Sequence, residues 1–448
     1  VLEIKNSKIK KLNTTIINIL NSIMKKIILG GACLLFATTG LISLSGCNHK
    51  PVENNNNALY KANLKLPSGF SATIVADSLG ALRHLAINDQ GDIYVKLNAL
   101  KDGKGIYFLS DTNHDGRIDK KTGFGNYPGT GIVIKNKALF ASSNSGVFRY
   151  QLNDNGAVVD TGKPGIIVQG LADKKRDNSK SIAIDDKNNL YVTIGSYNET
   201  CRKEGSGEGM PGCPLLDSVG GVWEFKADKP NQGYKESVLF ARGLKNVVGI
   251  DWNSSTNSLF VMQHGRGPFD DKFPQYYTPK QSSELPAETM YELHQGADAG
   301  WPFVYYDQFQ KKKILSPEYG GNGKKAVEGK YLDPIVAFPA HLAPNDLLFY
   351  TGNMFPERYK NGAFIVFHGQ SPQLKKGYLV AFVPFKNGKP SGDWEIFADN
   401  FAGVDLKKPA GPIQYRPMGL AQGPDGSLYV SDDLKGAIFK ITYSDKQK

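Results

Sequence analysis

Seven basic side chains recur along this chain beside short apolar runs: Lys180, Lys245, His264, Arg266, His341, His368 and Arg416. Guanidinium, ammonium and imidazole groups offset the desolvation of an anion, and charge-assisted contacts with carboxylates are the strong kind of hydrogen bond. An imidazole can also carry a proton near neutral pH. Gathered around one axis, seven such groups would suit an anionic ligand. Taken singly, each also matches a solvated rim charge or a hydrogen-bonded loop histidine, so the elements that position them decide the matter.

Those elements repeat. HLAINDQGDIYVKL from His84, SIAIDDKNNLYVTI from Ser181, GIDWNSSTNSLFVM from Gly249 and GLAQGPDGSLYVSD from Gly419 share one order. Each is an apolar strand, a polar turn rich in Asp, Asn or Gly, and an aromatic-plus-valine strand. Weaker copies start at Ala138 and Gly362, which puts aromatic markers at Tyr94, Phe140, Tyr191, Phe260, Phe364 and Tyr429. Six copies at this spacing predict an all-β chain: a six-bladed β-propeller of four-stranded antiparallel blades. A long insertion is expected between about 265 and 345, with short helical pieces only around Pro279 to Leu293. The strand Phe70 to Asp77 is expected to join the sheet of Ala437 to Tyr443, because closing the ring protects sheet edges. Two separate β-sandwiches are the alternative.

The N-terminal region reads as processing rather than fold. Residues 1–23 look like an over-called start ahead of Met24. Residues 24–46 have a Lys25-Lys26 pair, an apolar stretch and a Leu44-Ser45-Gly46-Cys47 ending that resembles a bacterial lipoprotein signal. Cys47 would then carry lipid, residues 47–63 would be a tether, and residues 64–445 the propeller. An uncleaved membrane anchor is the alternative. This implies a lipid-anchored protein of the bacterial cell envelope, facing the periplasm or the surface. The whole chain carries +11; without the six lysines and one glutamate up to Gly46, the remainder carries +6. Charge that weak and dispersed does not indicate a nucleic-acid partner. Cys201 and Cys213, 12 apart in a Gly-rich segment, read as one disulfide of an exported chain. Asp111, Asn113 and Asp115 with Gly116 resemble the first half of an EF-hand loop, but Thr122 stands where the closing acid belongs, so the segment reads as a turn that calcium could cap.

The strings LRHLAINDQGDIYV, GLKNVVGIDW, LFVMQHGRG, PAETMYELHQGADAGWP, FPAHLAPNDLLFYTGNMFP and YRPMGLAQGPDGSLYVSDDLKGAIFKI together resemble the glucose/sorbosone dehydrogenase family, from Leu66 to Tyr443. The resemblance implies a six-bladed propeller that uses pyrroloquinoline quinone (PQQ) and calcium to oxidise sugars. It implies that Lys180, Lys245, Arg266, His368 and Arg416 bind the cofactor. In the same way, Gly267-Pro268 with Asp270 is similar to a calcium site, and Tyr415-Arg416 to a quinone-carboxylate site whose preceding arginine is Gln414 here. The chain departs from the pattern twice. Lys245 replaces the arginine of GLRN and loses its planar fork. The usual histidine base is absent before SIAID, where Asp177 or Asn178 stands instead. The base is then Asp177, or a histidine from another blade, His264 or His341.

The implied function is PQQ-dependent oxidation of a sugar, a sorbosone-like aldehyde or a related alcohol. A base takes the hydroxyl proton, hydride passes to the quinone, and electrons pass to a separate acceptor such as a cytochrome or quinone. No Cys-x-x-Cys-His and no Rossmann glycine-rich turn occurs in the sequence. The rival readings are a non-catalytic glycan-binding or scaffolding propeller, favoured by the missing histidine, and a calcium-dependent lactonase-type hydrolase.

Overall fold

The computed structural model describes residues 60–445; residues 1–59, with Cys47 and the signal and most of the tether, lie outside the described residues. Six four-stranded antiparallel sheets follow one another along the chain. Blade 1 comprises Leu82–Ile87, Ile93–Lys101, Lys104–Ser110 and Lys120–Phe124. Blade 2 comprises Ile132–Lys135, Ala138–Ser142, Val147–Gln151 and Gly165–Val168. Blade 3 comprises Ile182–Ile184, Asn189–Ile194, Gly221–Lys226 and Val238–Arg242, with Ala297–Asp298 added in parallel at its edge. Blade 4 comprises Val247–Asn253, Ser258–Gln263, Glu288–Leu293 and Val336–Phe338. Blade 5 comprises Pro344–Phe349, Ala363–Ser371, Lys376–Val383 and Glu395–Ala398. Blade 6 takes Pro417–Gln422, Leu428–Asp432 and Ile438–Tyr443 from the C-terminus and Phe70–Ala76 from the start.

The polar residue that opens each repeat's turn works through its side chain. Asn88 Oδ1 accepts the amides of Gln90 and Asp92, and Asp185 Oδ1 those of Lys187 and Asn189. Asn253 and Asp425 do the same for Ser255 and Ser427. These Asx turns fix the register of the inner hairpins. All six aromatic markers fall on the second strand of a blade and are buried.

The expected insertion is split by two strands of blade 4, leaving 264–287 and 294–335 as the added segments. The only α-helix in this region is Pro279–Glu284, started by Pro279 and capped by Thr278, whose hydroxyl accepts the Gln281 amide. Glu288–Leu293, expected as helix, is strand: five of its six residues are buried, as in a strand covered on both faces, and it pairs with Ser258–Gln263 on one side and Val336–Phe338 on the other. Cys201 and Cys213 form the expected disulfide. In the Asp111 loop the side-chain oxygens are turned onto the loop's own amides: Asp111 on Asp115 and Gly116, and Asn113 on Asp115.

The six inner strands pack around one axis and leave a cavity of about 320 Å³, lined by Ala86, Ile134, Ile184, Trp252, Leu348 and Gln422 among others. An inner strand has no sheet neighbour on its axial side, so its free amides and carbonyls need other partners. Asp251 Oδ2 accepts the Phe349 amide at 2.8 Å, Asp346 Oδ2 accepts the Leu420 amide at 2.8 Å, and His84 Nε2 donates to the Asn345 carbonyl at 2.8 Å. The strands come close enough that a Cβ on Gly249 would meet the Asp346 carbonyl carbon at 2.9 Å. Burial, opposed only by backbone amides, pushes Asp251 up to about 7 and Asp346 well above the usual carboxylate range.

A carboxyl raised in the folded state stabilises the protein below its ordinary value of 3.8, and that contribution is lost as pH rises through about 7. Asp251→Asn keeps the acceptor and removes the charge. Its stability relative to the parent should therefore increase between pH 4 and pH 8, by a few kcal/mol in all. Urea unfolding across that range measures it, and a pH-independent difference would show that Asp251 stays ionised.

Candidate functional site

Loops that enter the inner strands and loops that leave the second strands meet at the same end of the blades. Arg83, at the start of the blade 1 inner strand, donates from Nη2 to Ser179 Oγ at 2.8 Å, from Nε to Thr130 Oγ1 at 3.1 Å and from Nη1 to Met418 Sδ at 3.5 Å. It keeps some accessible surface, yet protein encloses it so closely that desolvation lowers its guanidinium to about 10, against the pull of Asp433. Lys180 is fully buried beside it, donates to the Asn178 carbonyl at 2.7 Å, and is lowered by burial to about 8. Among the described residues, no carboxylate oxygen lies within 4.0 Å of either charge.

The neighbouring cations are already paired. Lys245 lies 2.9 Å from Asp177 Oδ2 and 3.4 Å from Glu199 Oε1. Arg416 grips Asp433 through Nε at 2.7 Å and Nη2 at 3.0 Å. The two histidines serve the backbone: His264 Nε2 donates to the Pro344 carbonyl at 2.9 Å, and His368 Nδ1 to the Pro417 carbonyl at 3.1 Å. Desolvation lowers His264 to about 3, helped by Lys245, His368 and Arg83, and lowers His368 to about 4. His368 Nε2 also lies 3.5 Å from Asp433 Oδ2, which favours the charged ring, but burial outweighs it; both histidines are then neutral at physiological pH and add no positive charge, contrary to the sequence expectation. His264 Nδ1 faces the Asn246 amide at 3.4 Å, so neither of its ring nitrogens is free to act as a base.

Arg266, expected at the cofactor, is spent elsewhere. Its Nη1 bonds both oxygens of buried Glu318 at 2.8 Å, and its guanidinium covers Phe269 at 4.3 Å. Its Nε donates to the Gly267 carbonyl at 3.3 Å. A guanidinium against that carbonyl opposes a calcium ion there, so the expected Gly267, Pro268 and Asp270 site does not fit the metal. Among the described residues no three His, Cys, Asp or Glu side chains are grouped to hold a metal ion. His341, at φ 67, faces the Ser282 carbonyl at 3.3 Å, against the short helix.

Three residues of this cluster are absent from the sequence-based list: Arg83, Glu199 and Asp433. A signal for Arg83 exists, since Arg83-His84-Leu85-Ala86-Ile87 matches Lys180-Ser181-Ile182-Ala183-Ile184 position by position. Glu199 and Asp433 lie in segments without periodicity and carry no such mark. The two departures from the dehydrogenase pattern, Asp177 and Lys245, turn out to face each other as an ion pair. The donors fit a planar polycarboxylate, since Arg83 is an enclosed cation hydrogen-bonded to hydroxyls and a sulfur only; Asn246 Oδ1, a buried acceptor without a hydrogen-bond partner among the described residues, suits a ligand N–H or O–H instead. Little of this end is a closed cavity; the space lined by Lys245, His264 and Trp301 is only about 20 Å³.

The chain matches the TrAA12-like family over residues 64–444. It is 21% identical over 416 residues to a pyrroloquinoline quinone-dependent sugar dehydrogenase of Hypocrea jecorina, covering 85% of this chain and 87% of that protein. It is 27% identical over 269 residues to an uncharacterised protein of Borreliella burgdorferi, covering 59% of this chain and 60% of that protein, less than two thirds of its length. The calcium structure of a Trichoderma reesei carbohydrate-active enzyme of family AA12 superposes with a TM-score of 0.68 at 18% identity, over 86% of this chain and 98% of that one. At that identity the superposition speaks for the fold.

Removing one partner of a buried ion pair typically costs about 3–5 kcal/mol. Glu318→Gln should lose that much in urea unfolding, because it strands Arg266 in the interior. Unchanged stability with weakened ligand binding would instead return Arg266 to the ligand site.

Proposed function

This chain belongs to the TrAA12-like family, and on that premise we propose that it is a pyrroloquinoline quinone-dependent oxidoreductase acting on a sugar, a sorbosone-like aldehyde or a related alcohol. One observation carries the reading: Arg83 is an enclosed guanidinium without a carboxylate partner, backed by buried Lys180 and adjoined by cations from blades 4 and 6. A desolvated cation with no carboxylate within ion-pair distance favours a ligand of opposite sign.

The quinone, when bound, supplies a two-electron acceptor for the hydride of the substrate carbon. Arg83 would hold one of its carboxylates, with Lys180 adding positive potential from behind. Arg416 would share its fork between Asp433 and the ligand, and Asn246 Oδ1 would accept a donor from cofactor or substrate. Asp177 is the group that would take the substrate hydroxyl proton. It is partly exposed, at 19% of its side chain, and reachable from the blade end. Lys245 beside it would steady the developing negative oxygen. His264 reaches across to the start of the blade 5 inner strand at Pro344, and His368 holds the start of the blade 6 inner strand at Pro417, next to Arg416. Calcium has no assigned step. The electrons would leave to a separate acceptor such as a cytochrome or quinone. The same reading keeps Cys47 as a lipid anchor in a bacterial envelope, with residues 64–445 as the catalytic domain.

Titrating the Cys47→Ser chain with pyrroloquinoline quinone and following dye reduction by aldoses and sorbosone tests the proposal. Arg83→Gln should weaken quinone binding about 10- to 100-fold, the worth of one charged hydrogen bond. Asp177→Asn should bind normally and lose about 10²- to 10⁴-fold in kcat. Quinone binding without turnover of any sugar would leave the glycan-binding reading instead. Separately, labelled palmitate should enter the parent chain and not Cys47→Ser; equal labelling of both removes the anchor.

A further inference from the structure

Two carboxylates share two cations beside the axial cluster. Lys245 Nζ touches Asp177 at 2.9 Å and Glu199 at 3.4 Å, while Arg176 bonds Glu199 Oε2 through Nη2 and lies 4.0 Å from Asp177 Oδ2 through Nε. The two acids are held very differently. Glu199 Oε1 also accepts the Gly267 amide at 2.5 Å, and its main-chain carbonyl accepts the Trp301 indole N–H at 3.0 Å. Two residues further on, Cys201 enters the buried disulfide, and its carbonyl accepts the Tyr319 hydroxyl at 3.1 Å. Gly209, inside the disulfide loop, donates its amide to the carbonyl of Glu318, the residue that holds Arg266. Glu199 is thus pinned between blade 3 and the inserted segments of blade 4. Asp177 sits at φ 48 on the loop before the blade 3 inner strand, and among the described residues Lys245 is the one side chain that hydrogen-bonds its carboxylate.

We propose that Glu199 is a positioning residue: by taking up part of the charge of Lys245 and Arg176, it prevents Asp177 from being locked into a one-to-one ion pair and leaves it able to accept a proton. This rests on the reading of Asp177 as proton acceptor. The physical reason is competition. An ammonium enclosed with a single carboxylate favours the ionised acid so strongly that the acid becomes a poor base, and a second carboxylate on the same ammonium divides that effect. Glu199 is suited to the fixed share. Burial pushes its carboxyl up, but Lys245, the Gly267 amide, Arg176 and Arg266 outweigh burial and hold it below its usual range, so it stays ionised where Asp177 must change state. The disulfide loop supplies the rigidity, since Glu199 reaches Lys245 and Gly267 only while its backbone is held against Trp301.

The test is Glu199→Gln, read in two ways. In the unloaded protein, the ¹³C carboxyl titration of Asp177, identified by its absence from the Asp177→Asn spectrum, should move to lower pH by about half a unit or more once both cations fall to Asp177. In the quinone-loaded protein, the acid limb of kcat/KM should move the same way, with quinone affinity changed less than about threefold, far below the loss expected from a direct charged contact. Arg176→Gln, at an exposed side chain, removes a shared cation and should move both readings to higher pH. It also decides the matter if the Glu199 variant does not fold. An Asp177 titration unmoved in either variant, or a collapse of quinone binding in Glu199→Gln, overturns the proposal. A parent protein that turns over no sugar overturns the proposed function instead, and the titration in the unloaded protein still decides the role of Glu199.

Discussion

Six inner strands each present an open backbone edge to a common axis, and the satisfaction of those edges shapes everything near them. Water cannot serve them fully in so narrow a space, so side chains from neighbouring blades do. Asp251 and Asp346 carry the hydrogen bonds from blade 4 to blade 5 and from blade 5 to blade 6, and three histidines donate to carbonyls of inner-strand residues. A group recruited for this work is enclosed by protein and loses its charge more easily than it does in water. The acids at the axis are pushed toward the protonated form and the histidines toward the neutral one. Ring closure by Phe70–Ala76 makes the arrangement rigid, because Phe70 is wedged edge-on among Phe355, Tyr359 and Phe397.

With the histidines neutral, the charge at the site end belongs to arginine, lysine and carboxylate alone. Lys245 and Arg416 arrive with acids from adjacent loops, so their field is largely cancelled within the protein. Arg83 and Lys180 occupy the equivalent slot of blades 1 and 3, where no carboxylate comes within ion-pair distance; Asp433 and Asp173 act on them only from further away, and their hydrogen bonds go to hydroxyls, a thioether and a backbone carbonyl. The proposed binding of an anionic cofactor at this end of the propeller rests on that imbalance. It does not follow from the mild net charge of the whole chain.

The added segments of blade 4 do separate work. Arg266 and Glu318 form a closed pair within them, with Nη1 reaching both carboxylate oxygens and the guanidinium stacked on Phe269, and the disulfide loop of blade 3 is bonded to the same structure. A cation beside the Gly267 carbonyl is the reason the local sequence likeness to a calcium site has no counterpart in the geometry. The same packing brings Glu199 to Lys245, and so links a loop closed by two cysteines to the chemistry of another blade.

The sequence alone determined the architecture. Period-two alternation with an Asx turn in four repeats, two weaker copies, and an aromatic marker on each of six second strands are local signals, and six markers in order leave a propeller as the arrangement that closes every edge. The disulfide was legible because two cysteines without other partners have few alternatives. At the site, the sequence identified Lys180, Lys245, Arg416 and Asp177 as neighbours of inner strands, but not their charge states or partners. It could not see that Arg266 is consumed by Glu318, 52 positions away, or that His264 and His368 are neutral. Nor could it see that Arg83 has no carboxylate within ion-pair distance among the described residues. Ionisation and pairing depend on desolvation and on distances between residues remote in sequence, and only the closed ring sets those.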